Sequence, residues 1–232
     1  MIEATTPGRA LAVFAHPDDP EVACGGTLAR WASLGCEVHL VIANRGEKGS
    51  ADASTDPDGL AEHRAAEVAR AAVALGLAGV EHLGYPDGEI DNDVALRARL
   101  IEILRRLQPD ALIAPDPTAV FFGDSYVNHR DHRELGWAVL DSLVPAASPL
   151  YVPEMGAPHQ VALVLLAGTL EPNAWVDIDA VLPRKIAAVA CHESRLGDDP
   201  SLVADVIEQR AAEEGTLAGT RHAEAFRRLR LR

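Results

Sequence analysis

Four times before residue 145 the chain runs through one cycle: a short apolar segment of strand length, a polar break, then apolar positions at helical spacing. The apolar segments are Ala10–Ala15, Cys36–Ala43, Val80–Leu83 and Ala111–Ala114. The helical segments are Glu21–Leu34, Leu60–Leu75, Val94–Leu107 and His129–Leu143. Alternation at this pace builds βαβ units, because neighbouring parallel strands are joined by a helix that lies on a face of the sheet. The pattern predicts an α/β fold, Rossmann-like, with three layers (α/β/α) and a mostly parallel sheet. Val161–Ala167 and Trp175–Ile178 are further strands by the same reading, and Ala180–Arg195 and Ser201–Glu214 further helices. Gly35 and Gly76 stand where helices stop. Asp91 or Asn92 is expected to cap the third helix.

A length of 232 residues suits one domain over residues 1–232, and 48% hydrophobic content is enough for a sizeable core without disulfides. The Pro-rich stretch Pro145–Pro158 is expected to decorate one side of that domain. The tail Arg221–Arg232 is expected to be a solvated or interface-facing helix end. A net charge of −14 disfavours a nucleic-acid partner. The longest apolar run, Val161–Ala167, is far short of the ~20 residues of a spanning helix, so no membrane partner is expected. The first residues lack a basic flank and apolar core of the secretory kind. Cys24, Cys36 and Cys191 are odd in number and far apart, reading as small hydrophobes in a reducing compartment. A cytoplasmic location is the expectation.

In open parallel sheets ligands bind beyond the carboxyl ends of the strands, so the residues just past each strand matter most. After the first strand stands His16-Pro17-Asp18-Asp19-Pro20-Glu21, and after the second Asn44-Arg45-Gly46-Glu47-Lys48-Gly49. Asp87 lies past the third, and the loop after the fourth leads into Asn128-His129-Arg130-Asp131-His132. His16 and Asp19 are three apart in a proline-stiffened turn, while His129 and His132 share one helix face. Two imidazoles and a carboxylate suit a catalytic zinc, which takes three protein ligands and keeps a position for water. Asp18, beside a ligand but not itself bound to the metal, is the natural general base. Whichever of His129 and His132 is not a ligand could stabilise an oxyanion or protonate a leaving amine. Asp131 can orient an imidazole.

Each motif alone has a plainer explanation, since Asp caps helices and His-x-x-His pairs are mostly solvated; their joint placement at one sheet edge favours a metal. Glu21 reads as a favourable charge at a helix N-terminus, and His39 as a packed or edge residue. His63, His82, His159 and His222 show no partner pattern. Gly25-Gly26 lacks the Gly-x-Gly-x-x-Gly setting of a nucleotide loop and reads as close packing or backbone approach to the metal loop.

These residues resemble the LmbE-like, or PIG-L, superfamily of N-acetylglucosaminyl deacetylases. The resemblance runs from Ala15-His16-Pro17-Asp18-Asp19 and Gly25-Gly26-Thr27 through Gly46-Glu47-Lys48-Gly49, Arg64-x-x-Glu67 and Gly84-Tyr85-Pro86-Asp87-Gly88. It continues in His129-Arg130-Asp131-His132-Arg133, Lys185–Ser194 and Ala223–Phe226. It implies a zinc-dependent hydrolase, with iron(II) as the other candidate metal, that removes an acetyl group from an N-acetylated amino sugar or glycoside. By family pattern His16, Asp19 and His132 look like the ligands, Asp18 the base, and His129 the oxyanion stabiliser or acid. Arg64 matches a residue that holds substrate, Glu47 and Asp87 lie in loops that line the pocket, and His192 matches a further pocket histidine. The family's partner is a small N-acetylated sugar, and its members are often oligomeric, which leaves a homo-oligomer open. The chain departs from the pattern at Pro20, at Arg130 and at His192-Glu193-Ser194-Arg195. Rival readings are an amidase of the same fold acting on a thiol conjugate or antibiotic precursor, a nucleotide-binding module, and a non-catalytic metal-binding protein.

Overall fold

The computed structural model describes residues 1–196 and 200–231. The chain order is β1 (Arg9–Phe14), α1 (Asp19–Ser33), β2 (Glu37–Asn44), α2 (Pro57–Leu75), β3 (Gly79–Tyr85), α3 (Val94–Leu107) and β4 (Ala111–Pro115). A hairpin comes next, β5 (Phe121–Phe122) with β6 (Tyr126–Val127), then α4 (Arg130–Ala147), β7 (Leu163–Ala167) and β8 (Ala174–Asp177). The chain ends with α5 (Leu182–Val189), α6 (Glu193–Leu196), α7 (Pro200–Ala218) and β9 (Ala223–Arg230).

The large sheet runs β3-β2-β1-β4-β7-β9-β8. Its first five strands are parallel, and β9 inserts antiparallel between β7 and β8. Both faces are covered, so β1, β4 and β7 read as continuous apolar runs, while the edge strand β3 does not. Within β1, Ala10, Ala12 and Phe14 face the core under α1, α2, α5 and α7. Leu11 and Val13 face the core under α3 and α4, among Leu96, Ile103, Leu135 and Val139. The expected α/β architecture is the observed one. Strand order reverses between β1 and β4, and a crevice opens at such a switch point beyond the carboxyl ends of the two strands. His16 leaves β1 there, and β4 leads to Asn128 and His132.

Four local expectations are corrected. Asp93, rather than Asp91 or Asn92, caps α3, its carboxylate accepting from the Leu96 amide. The basic tail is the strand β9, not a helix end, with Arg228 and Arg230 paired to buried Glu3; Arg232 lies outside the described residues. The helix expected over 180–195 is two helices, α5 and α6, separated by a turn. His222 has a partner, its Nδ1 lying 2.6 Å from Asp179.

The stretch after Pro145 is held by buried Arg105, whose guanidinium donates to the carbonyls of Pro145, Ala146, Ser148, Tyr151 and Val152. All three cysteines are free, with Cys24 and Cys36 buried. No helix among the described residues is long and apolar enough to cross a membrane.

Helix α1 carries the fold's main irregularity. Its backbone leaves helical geometry at Cys24, which frees amide donors in mid-helix. Buried Glu224 of β9 receives them, accepting from the amides of Gly26 (2.8 Å) and Thr27 (2.7 Å) and from the Thr27 hydroxyl (2.6 Å). Lys185 completes the cluster at 2.6 Å from Glu224 and also donates to the Val22 carbonyl. Gly26 is obligatory for close packing, since a Cβ there would sit 2.7 Å from the Ile178 side chain.

Candidate metal centre

The turn between β1 and α1 places two adjacent carboxylates in different surroundings. Asp18 adopts φ 93°, ψ −29°, a conformation that L residues rarely take and that costs about 1–3 kcal/mol. Asp19 opens α1, with Pro20 next in the first turn, where a missing amide costs nothing. The strained turn sends the Asp19 carboxylate back over the end of β1, where Oδ2 accepts from the His16 amide at 2.8 Å.

Three donor atoms converge here. His16 Nδ1 lies 3.1 Å from Asp19 Oδ2 and 3.0 Å from His132 Nε2, and His132 Nε2 lies 3.1 Å from Asp19 Oδ2. Ligand atoms on a tetrahedral zinc stand about 3.3–3.5 Å apart, so this triangle is within a few tenths of an ångström of that spacing. The groups behind the imidazoles orient them. His132 Nδ1 lies 2.9 Å from Asn128 Oδ1, which can only accept from it, leaving Nε2 as a lone-pair donor. His16 Nε2 faces Asp87 Oδ1 at 3.3 Å and Asp131 Oδ2 at 3.6 Å. Burial works against a charged His16, but the carboxylates of Asp19 and Asp87 override it and push the imidazole up to about 10. Surroundings that favour a proton so strongly favour any cation. Burial likewise opposes charge on Asp19, yet the His132 and His16 imidazoles hold its carboxyl far below the usual range. The residues present therefore fit a divalent metal.

Asp18 stands beside the triangle. Burial, then the charge of Asp19, pushes its carboxyl up to about 6, although Arg195 Nε donates to Asp18 Oδ2 at 3.1 Å. His129 caps α4, and its Nδ1 accepts from the Asp131 amide at 3.2 Å. The neutral ring then carries its proton on Nε2 and is a donor. Burial and the neighbouring His16 keep it neutral by lowering its pKa.

The other expected site residues stand behind the donors and do not line the cavity beside them. Asp131 is fully buried, accepting from the Asn44 side chain (2.9 Å) and the amides of Gly88 (2.8 Å) and Ile90 (3.3 Å). It locks the loop that carries Asp87 as well as facing His16. Glu47 accepts from the Asp87 amide at 3.0 Å. Arg64 is buried and donates to the carbonyls of Gly46 (2.7 Å) and Gly49 (3.0 Å), gripping the loop after β2. His192 is buried with Nε2 at 3.2 Å from Glu21 Oε2. Burial disfavours its proton, but Glu21 holds the imidazole above its usual range. Glu21, read from sequence as a helix-terminal charge, is instead wholly buried against that histidine. Arg130 turns away from the metal donors, to Asp91 and the Ile90 carbonyl.

Sequence reasoning passed over Asn128, Asn44 and Arg195 as site residues. The signal for the first two was their position at the same sheet edge, one beside His129 and one ending β2. A cavity of about 600 Å³ opens beside the donors, with Asp18, Asp19 and His132 in its wall.

The sequence profile of the family described as PIG-L, GlcNAc-PI de-N-acetylase, matches residues 11–143. The diacetylchitobiose deacetylase of Thermococcus kodakarensis is 29% identical over 224 residues, covering 94% of this chain and 82% of its own length. A 1D-myo-inositol 2-acetamido-2-deoxy-alpha-D-glucopyranoside deacetylase of Saccharopolyspora erythraea is 34% identical over 178 residues, covering 66% of this chain and 63% of its own. Among solved structures, the N,N'-diacetylchitobiose deacetylase of Pyrococcus horikoshii, complexed with an inhibitor, superposes with a TM-score of 0.88 at 29% identity. That match covers 97% of this chain and 84% of the other.

Proposed function

Because the chain belongs to the PIG-L family, we propose that it is a metal-dependent N-deacetylase that hydrolyses the acetamide of an N-acetylglucosamine-containing small molecule. The observation that carries this reading is the triangle of His16 Nδ1, Asp19 Oδ2 and His132 Nε2, with an uncoordinated carboxylate next to it. Those three residues would hold the ion, and their two nitrogens and one oxygen suit Zn2+, with Fe2+ also compatible. A divalent cation supplies Lewis acidity, lowering the pKa of water and polarising the amide carbonyl.

The chain's own groups do the rest. Asp18 takes a proton from the attacking water, and a carboxyl pushed to about 6 can both accept it near neutrality and return it to the departing amine. His129 presents Nε2–H to the oxygen that gains negative charge as the carbonyl becomes tetrahedral. Asp131 holds the loop and His16 in register. Asp87 fixes the His16 ring, and Glu47 and Arg64 shape the loops of the pocket from behind. His192 lies deeper and acts on Asp18 through its charge. The products are acetate and a free amine.

The test is acetate release by metal-loaded protein from N,N'-diacetylchitobiose and from N-acetylglucosamine. Release that stops with a chelator and returns with Zn2+ or Fe2+ is expected. No release from any acetamido sugar by protein carrying about one metal per chain would overturn the substrate class.

A further inference from the structure

The cavity beside the metal donors has a wall that the reaction itself does not use. Its outer side is the β5–β6 hairpin, where Phe122 and Tyr126 are directly opposite each other. Residues directly opposite in a hairpin point to one face, so both rings line the cavity, while Phe121 and Val127 belong to the other face. The two ring centroids are 5.9 Å apart with their planes at 46°.

This concentration of aromatic surface is not explained by the fold. Only 4% of the chain is aromatic, yet three of the four strand residues in this hairpin are. Neither Phe122 nor Tyr126 belongs to either hydrophobic core, and Tyr126 is 52% exposed. A hairpin with two-residue strands gains little stability of its own from such rings. The rest of the lining mixes apolar residues with the polar groups of Thr169, Arg195, Arg210 and Glu213. A pyranose suits such a lining. Its axial C–H groups form a weakly positive apolar face that suits the negative face of an aromatic ring, and its hydroxyls need polar partners around the rim. A cavity of about 600 Å³ is of the size that encloses a drug-sized ligand, more than a single acetamido sugar requires.

We infer that Phe122 and Tyr126 form a stacking platform for a second sugar ring, linked to the acetamido sugar whose acetyl group reaches Asp19 and His132. The pair determines specificity: it makes a disaccharide a better substrate than the free monosaccharide. This rests on the deacetylase reading, and the test separates the two.

The probes are N,N'-diacetylchitobiose and N-acetylglucosamine, given to metal-loaded wild type, Phe122→Ala, Tyr126→Ala and Tyr126→Phe. In wild type kcat/KM is higher for the disaccharide. In either alanine variant the disaccharide-to-monosaccharide ratio falls about tenfold, chiefly through KM, and Tyr126→Phe keeps the ratio because the ring remains. Equal use of both sugars by wild type, or an unchanged ratio in both alanine variants with metal content intact, would overturn the platform. If wild type releases no acetate from either sugar, the deacetylase reading has failed. Calorimetric binding of the same two sugars then decides the platform: a disaccharide Kd raised about tenfold by Tyr126→Ala supports it, and an unchanged or unmeasurable one overturns it.

Discussion

Helix α1 touches two clusters of charged groups, one buried around Glu224 and one partly buried around Asp19, and the partners they offer differ. Around Glu224 every donor finds an acceptor: two amides, a hydroxyl and an ammonium group converge on one carboxylate. Around Asp19 the convergent atoms are ring nitrogens and a carboxylate oxygen, which as free bases all offer electron pairs. The first cluster is electrostatically closed and holds α1, α5 and β9 together. The second is balanced only by a cation. Charge is common to both, so charge alone does not distinguish structure from chemistry. The distinction lies in whether the partners present complete the valence of the polar atoms.

Substitutions that exchange these fates give the largest effects. Asp18→Asn removes the proposed base while keeping the shape of the turn, and kcat should fall by about 10²–10⁴-fold with metal content unchanged. Parallel loss of metal would instead make Asp18 a ligand. Glu224→Ala strands Lys185, which is 5% exposed, and should cost about 3–5 kcal/mol. For a chain of this size that is a fall of roughly 6–20 °C in Tm by thermal unfolding. A fall of a degree or less would show that the closed cluster is not structural.

Asp18→Gly probes both roles at one residue. Glycine adopts φ 93° without strain, so the variant should lose activity yet gain about 1 kcal/mol in chemical unfolding. Loss of stability there would mean that the Asp18–Arg195 contact outweighs backbone strain.

The smallest effect concerns Glu3, which fastens the N-terminus to β9. Burial alone would raise its carboxyl, but hydrogen bonds from Thr5 and Arg228 and the charge of Arg230 hold it at about 2. Its folded value lies below the unfolded 4.5, so its contribution is complete above pH 4.5 and is lost as pH falls towards 2. Glu3→Gln should lower Tm by a few degrees at pH 7 and by less at pH 3. A constant difference across that range would remove the carboxylate from the explanation.

The inner parallel strands and the helices between them were legible because burial on both faces leaves unbroken apolar runs such as Leu11–Ala15 and Leu40–Ala43. The His16-Pro17-Asp18-Asp19 turn and the His129/His132 pair were legible because short-range spacing encodes them. Strand β9 was not, since Arg227, Arg228 and Arg230 mask its alternation and are balanced by Glu171 and Glu3 far away in sequence. The Glu224 cluster was equally hidden, because its partners lie 39 to 198 residues distant. Glu21 looked like an ordinary helix-terminal charge, because its partner His192 comes from beyond α5. Long-range polar pairing leaves no periodic trace.

The most direct test is Zn2+ titration of metal-free protein by calorimetry, comparing wild type with His132→Ala, His129→Ala and Asp18→Asn. One tight site per chain is expected in wild type, kept in Asp18→Asn and His129→Ala and lost or greatly weakened in His132→Ala. Equal affinity in the two histidine variants, or no tight site in wild type, would contradict a metal centre built on His16, Asp19 and His132.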